Sequence, residues 1–113
     1  MAERIDYIEF PSTSREGTSA FFRAAFGWKT TSYGADYDGI EGAGIEGGVD
    51  QSAGRVAATM AVVRTDDLDD AEKRVRAAGG VITRAQFDFP GGRRFHFREP
   101  GGNELAVYVS RPD

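Results

Sequence analysis

Polar and apolar residues alternate from Ile5 to Phe10 until Pro11 interrupts them, the pattern of a strand running into a loop. Ser12, Thr13 and Ser14 follow with oxygens suited to a helix N-cap, and Thr13 with Glu16 has capping-box spacing. The helix they predict places Phe22 and Phe26 one turn apart, with Phe21 and Ala25 beside them, and Gly27 stops it. Three short strands follow between glycine turns, at Trp28 to Ser32, Tyr37 to Glu41 and Gly44 to Asp50. After a linker from Gln51 to Arg55, a β-rich run from Val56 to Thr65 leads to Asp66 and Asp67, which predict a second helix start. Asp69 and Asp70 suit the first turn of that helix, Leu68, Ala71, Val75 and Ala78 form its apolar stripe, and Gly79 and Gly80 end it. Val81 to Phe89, Arg93 to Arg98 and Asn103 to Ser110 predict three more strands, split by Pro90-Gly91-Gly92 and Pro100-Gly101-Gly102.

The second half of this pattern repeats the first. Arg23-Ala24-Ala25 and Arg76-Ala77-Ala78 lie 53 positions apart, and the same offset lays Phe10 on Val63 and Ser14 on Asp67. Each half reads strand–helix–strand–strand–strand, so the predicted fold is α+β: two tandem βαβββ modules, about 3–50 and 56–110, in one domain spanning 1–113. Paired modules tend to build their site where they meet, and the strand residues facing that seam are the first candidates for function.

Composition narrows the classes. With 113 residues, 40% hydrophobic and 28% charged, the chain suits one globular domain with a modest core. A net charge of −4 argues against a nucleic-acid surface, which needs clustered Lys and Arg. No apolar run approaches the roughly 18 residues of a membrane span, and the N-terminal stretch lacks a signal-peptide apolar region. The absence of cysteine removes disulfides, thiolate nucleophiles and Cys-ligated metals. The expected location is the cytoplasm.

The βαβββ doublet, with Phe21-Phe22-Arg23-Ala24-Ala25-Phe26-Gly27-Trp28 in one half and Glu99-Pro100-Gly101-Gly102-Asn103-Glu104-Leu105 in the other, resembles the vicinal oxygen chelate superfamily. That superfamily holds glyoxalases, bleomycin-resistance proteins and extradiol dioxygenases. The resemblance covers essentially the whole chain and implies a curved mixed sheet, an open half-barrel, with helices on its outer face. It implies no single reaction, because the fold hosts lyases, isomerases, oxygenases and binders. It also implies a homodimer, the family's common arrangement.

In metal-using members, four inward strand positions carry His, Glu or Gln around one divalent ion. Matched to this chain, those positions hold Tyr7, Gly48, Met60 and Ala106. None is a normal ligand for a hard or borderline divalent ion, which takes carboxylate oxygen or imidazole nitrogen. No metal residues are therefore assigned and no cofactor is expected. The leading expectation is a metal-independent binder of a small apolar or aromatic molecule, of the bleomycin-resistance type. The alternative is a lyase, isomerase or dioxygenase with a displaced divalent metal or a carboxylate site, so enzyme status stays open. A third possibility is a non-catalytic partner module.

Strand parity supplies the cleft lining. If Tyr7 faces the cleft, so do Glu9, Met60, Val62, Glu104, Ala106 and Tyr108, with Glu46 beside Gly48. Ile8, Phe10, Leu105, Val107 and Val109 then pack toward the helices. Phe87 and Phe89 are candidates for a stacking platform, and His96, the only histidine, is a candidate lining residue. Trp28, Tyr33 and Tyr37 read by default as core or dimer packing. Glu9, Glu46 and Glu104 are candidate catalytic carboxylates, since clustered carboxylates raise one another's pKa. The simpler reading leaves them solvated at strand ends or paired with Arg4, Arg94 or Arg98. Gly42-Ala43-Gly44-Ile45-Glu46-Gly47 spells G-x-G-x-x-G, but no helical stripe follows it, so a dinucleotide loop is rejected.

Overall fold

Ser14 and Asp67 do what their matched positions require: each caps a helix. Ser14 Oγ accepts from the Gly17 amide at 3.2 Å and opens α1 (Arg15–Phe26); Asp67 Oδ1 accepts from the Asp70 amide at 3.1 Å and opens α2 (Leu68–Ala77). Ser14, rather than Thr13, supplies the cap of α1; its own amide is bonded by Ser12 Oγ, and that turn sets the chain direction one residue later than the capping-box spacing suggests. Gly27 ends α1 in the left-handed conformation that only glycine enters without cost.

The computed structural model describes residues 2–111. Its strands are β1 (Arg4–Pro11), β2 (Lys29–Ser32), β3 (Tyr37–Glu41), β4 (Glu46–Asp50), β5 (Met60–Arg64), β6 (Val81–Phe89), β7 (Gly92–Arg98) and β8 (Glu104–Ser110). The architecture is α+β, and each half carries the strand–helix–strand–strand–strand order read from the sequence. Two expected strands start late. β4 begins at Glu46 because Gly42 and Gly44 have positive φ and belong to the turn, and β5 begins only at Met60. Among the described residues, no helix is long and apolar enough to cross a membrane.

The residues form two compact units, 7–60 and 1–6 together with 61–113. In the first, the N-terminal unit, the strands run in the order β2-β3-β4-β1. β1 and β4 are parallel with Tyr7 opposite Glu46 and Glu9 opposite Gly48; β3 is antiparallel to β4, with Gly39 opposite Gly48. In the second, the C-terminal unit, the order is β5-β8-β7-β6, with Val62 opposite Ala106 in the parallel β5–β8 pair and His96 opposite Ala106 in the antiparallel β7–β8 pair.

The helix layer of the C-terminal unit is apolar. Leu68 and Ala71 of α2 are buried with Phe95 and Val107, and Val63, Val75, Ile82, Phe97 and Val109 pack against them. Burying each such large side chain contributes roughly 1.5–3 kcal/mol. Ala78, expected on the apolar stripe, is exposed because it is already the C-cap.

The helix layer of the N-terminal unit differs. Phe22 of α1 packs on Phe10 and Trp28, with ring centroids 5.1 and 5.0 Å apart, but Phe21 and Phe26 stay largely in solvent, at 61% and 59% exposed.

 Of the aromatic positions on α1, Phe22 is therefore half-buried and Phe21 and Phe26 are exposed. In its place the unit buries a polar group between helix and strands. Ser19 Oγ donates to Asp38 Oδ2 at 2.6 Å, and Arg15 Nη1 donates to Asp38 Oδ1 at 2.8 Å. Ser19 and Asp38 are almost wholly buried, and this mutual bonding offsets the cost of taking them out of water.

Candidate functional site

In the N-terminal unit, strand pairing brings three of the sequence's candidates to one face. Tyr7 and Glu9 project from β1 on the same side, and Glu9 pairs with Gly48 across to β4. Tyr37 joins them from β3, where its hydroxyl hydrogen-bonds that of Tyr7. A Cβ placed on Gly48 would overlap the hydroxyl oxygens of both tyrosines. Glycine at 48 is thus favoured by close approach, and the space beside it belongs to the two phenols. Glu9 is buried, whereas Glu46 is exposed.

Sequence reasoning did not single out Tyr37 for this role. The available signal was parity: alternation puts Tyr37 and Gly39 on one side of β3 and Asp38 and Ile40 on the other, and Gly39 stands opposite Gly48. Arg15, Ser19 and Asp38 were also missed, although the 53-residue offset lays Arg15 on Leu68 and so marks a polar residue at a core position.

In the C-terminal unit, alternation places Val62, His96, Ala106 and Tyr108 on the side away from α2. Val62, His96 and Ala106 are buried. The rings of Phe87 and His96 meet edge to face at 5.6 Å, and those of Phe89 and Tyr108 at 6.2 Å. Two guanidinium groups flank them. Arg84 lies 3.7 Å from the Phe87 centroid, and Arg94 lies 5.4 Å from Phe87 and 5.6 Å from Phe89. Register shifts in β6 between Ile82 and Arg84, and again between Arg84 and Phe87, make this gathering possible. They let Arg84 and Phe87 reach the same side although their numbers differ by an odd count.

The electrostatics of this face follow from burial and the arginines. Burial first, and then the Arg94 charge, push the His96 imidazole down to about 4, with Arg84 acting in the same direction and Glu104 against it. His96 is therefore neutral at pH 7. Its Nε2 accepts from Arg94 Nε at 3.2 Å, which leaves the ring proton on Nδ1. Tyr108 donates to the Asp6 carboxylate at 2.9 Å; burial and then that bond hold its phenol proton on, above the ordinary range. Glu104 accepts from Thr83 Oγ1 at 2.6 Å.

The family's divalent ion can be tested against these residues. At position 48 the two tyrosine hydroxyls occupy the space a ligand side chain would need, and Met60 and Ala106 offer no oxygen or nitrogen. Among the described residues, no group of three or more His, Cys, Asp or Glu side chains is arranged to hold a metal ion. The side chains at these four positions are not the carboxylate and imidazole donors such an ion takes. Two surface recesses, of about 420 and 270 Å³, lie in the N-terminal unit. They are lined by residues such as Ser12 and Arg55 in one and Arg15 and Asp38 in the other, and by none of the expected ligand-binding residues.

Comparison with known structures agrees with this architecture. A glyoxalase/bleomycin resistance protein/dioxygenase superfamily member from Vibrio splendidus 12B01 aligns with a TM-score of 0.75 at 13% identity, covering 96% of this chain and 100% of that one. Methylmalonyl-CoA epimerase from Mycobacterium tuberculosis gives 0.70 at 12% identity, over 96% and 88% of the two chains. The Mn(II)-bound glyoxalase from Novosphingobium aromaticivorans gives 0.69 at 17% identity, over 96% of this chain and 41% of that longer one. At such identities the likeness is one of fold. No curated protein sequence matches the chain. Residues 4–107 match the Glyoxalase/Bleomycin resistance protein/Dioxygenase superfamily, and the chain belongs to that family.

Proposed function

We propose that this protein binds a small aromatic or apolar molecule without a metal ion. The observation that carries the reading is the ring surface of the C-terminal unit, where Phe87, Phe89, His96 and Tyr108 line one side of β6, β7 and β8 around the small buried residue Ala106. Such a surface offers stacking area for a planar ligand, and a few polar groups fix its orientation. Metal independence is supported by the side chains at the four family positions, Tyr7, Gly48, Met60 and Ala106, and by the phenols that fill the space at Gly48. A neutral His96 whose Nε2 is already occupied by Arg94 serves as packing and polarity rather than as a base. The same reading takes the protein as a cytoplasmic homodimer, supported by the exposed Phe21 and Phe26 rings, an apolar patch suited to a second copy.

The test is a binding titration with neutral aromatic amides, such as 1-naphthamide, on protein treated with EDTA and assayed for residual metal. Binding should survive chelation, and Phe89→Ala should weaken it about tenfold, the value of a lost stacking contact of roughly 1.4 kcal/mol. Binding that appears only after addition of manganese, nickel, zinc or iron would overturn the reading.

A further inference from the structure

We infer that the ligand is an aromatic acid, its ring lying along Phe89 and Tyr108 and its carboxylate held by Arg84 with support from Arg94. This rests on the binding role proposed above and adds the ligand's charge. The carrying observation is how Arg84 is held. Arg15, Arg74, Arg76, Arg93 and Arg111 each form an ion pair with an Asp or Glu. Among the described residues no carboxylate pairs with Arg84, as with Arg23, Arg55 and Arg98; what sets Arg84 apart is its guanidinium, 3.7 Å from the centre of the Phe87 ring. A guanidinium held over a ring still has N–H groups for a planar acceptor, and a carboxylate can match two of them with parallel bonds.

The surroundings agree with an anion. Arg84 and Arg94 lie on the same side of the strands, both within reach of Phe87, and both oppose a positive charge on His96. The acids of this side, Glu104 and Asp6, accept from the Thr83 and Tyr108 hydroxyls and keep their charge, so the partners for an anion are the two guanidinium groups. A carboxylate brought here meets cations on an aromatic floor, where a carboxamide of equal shape gains only the stacking.

The experiment compares 1-naphthoate with 1-naphthamide by calorimetry at low and moderate salt, on the native protein and on Arg84→Gln. Arg84 is exposed, so the substitution leaves the fold intact, which circular dichroism checks. The carboxylate should bind at least tenfold tighter than the amide, weaken with salt, and lose about tenfold in Arg84→Gln, while the amide changes less than twofold. Equal affinity for the two compounds overturns the anionic ligand and leaves the binding role standing. A carboxylate preference that Arg84→Gln does not reduce overturns the assignment to Arg84. Failure of both compounds to bind at millimolar concentration overturns this inference and the proposed function together.

Discussion

The two units share a backbone plan and differ in what fills the layer under the helix. In the C-terminal unit α2 sets Leu68 and Ala71 on Phe95 and Val107. In the N-terminal unit the residue equivalent to Leu68 is Arg15, which forms an ion pair with buried Asp38 while Ser19 bonds the other carboxylate oxygen. The matched N-cap positions, the strand order and the one parallel pair per unit are the same, although α1 ends at left-handed Gly27 and α2 at right-handed Ala78. The difference teaches that repeated backbone geometry is set by turns and caps, whereas the side chains between layers are free to change chemistry if they remain mutually satisfied. The opposite sides have diverged too: phenols crowd Gly48 in one unit, and rings flanked by arginines line the other.

The largest effect expected separates two close approaches of backbone. A Cβ on Gly92 would overlap the carbonyl oxygen of Val109, a backbone atom that cannot turn aside, whereas at Gly48 it meets the tips of Tyr7 and Tyr37. Gly92→Ala should cost about 4 kcal/mol in urea unfolding, and Gly48→Ala about 2. The reverse order would mean that the tyrosine pair is the more rigid feature. Next comes the buried ion pair. Asp38→Ala takes from Arg15 its counter-charge and from buried Ser19 its acceptor and should cost about 3 kcal/mol, while Arg15→Leu with Asp38→Leu, which gives α1 an apolar contact like that of Leu68, should return to within about 1 kcal/mol of the native protein. A double variant as unstable as Asp38→Ala would show that the two layers are not exchangeable.

The third prediction concerns pH and belongs to the C-terminal unit alone. His96 titrates near its usual 6.5 when unfolded and at about 4 when folded, so between these values the unfolded state holds the extra proton. Stability is full above pH 6.5 and falls as pH drops toward 4, by on the order of 2 kcal/mol. Denaturation midpoints at several pH values should show this slope, and His96→Phe should flatten it. The smallest effect lies at Glu3, whose carboxylate is held down to about 2, first by its bond to Arg74 and then by Thr65. The stabilisation is present above its usual 4.5 and lost as pH falls toward 2. Glu3→Gln should remove that acid-range dependence with only a small change in the midpoint at pH 7, since the pair is partly open to solvent.

Much of this fold was legible because its signals are local. The alternation in Ile5 to Phe10, the apolar spacing from Leu68 to Val75 and the glycines after each helix act within a few residues, and the structure has these elements within two residues of the expected ends, apart from the start of β5. The side chains of β8 were readable by parity, and Val107 and Val109 lie toward α2 as expected. What escaped depends on partners distant in sequence. Tyr37 meets Tyr7 thirty positions away, and Asp38 meets Ser19 nineteen away, so neither pairing has a local spacing to reveal it. Arg84 and Phe87 share a side only because β6 carries bulges, which break the parity rule that sequence reasoning relies on.

The first residues of the chain close the second repeat: Asp6 receives the Tyr108 hydroxyl, and Glu3 bonds both Thr65 and Arg74. A gene fragment encoding only positions 61–113 would therefore lack the acids its tyrosine, threonine and arginine engage. The two halves are therefore not separable, and a functional excision of the later copy has to carry residues 3–6 with it.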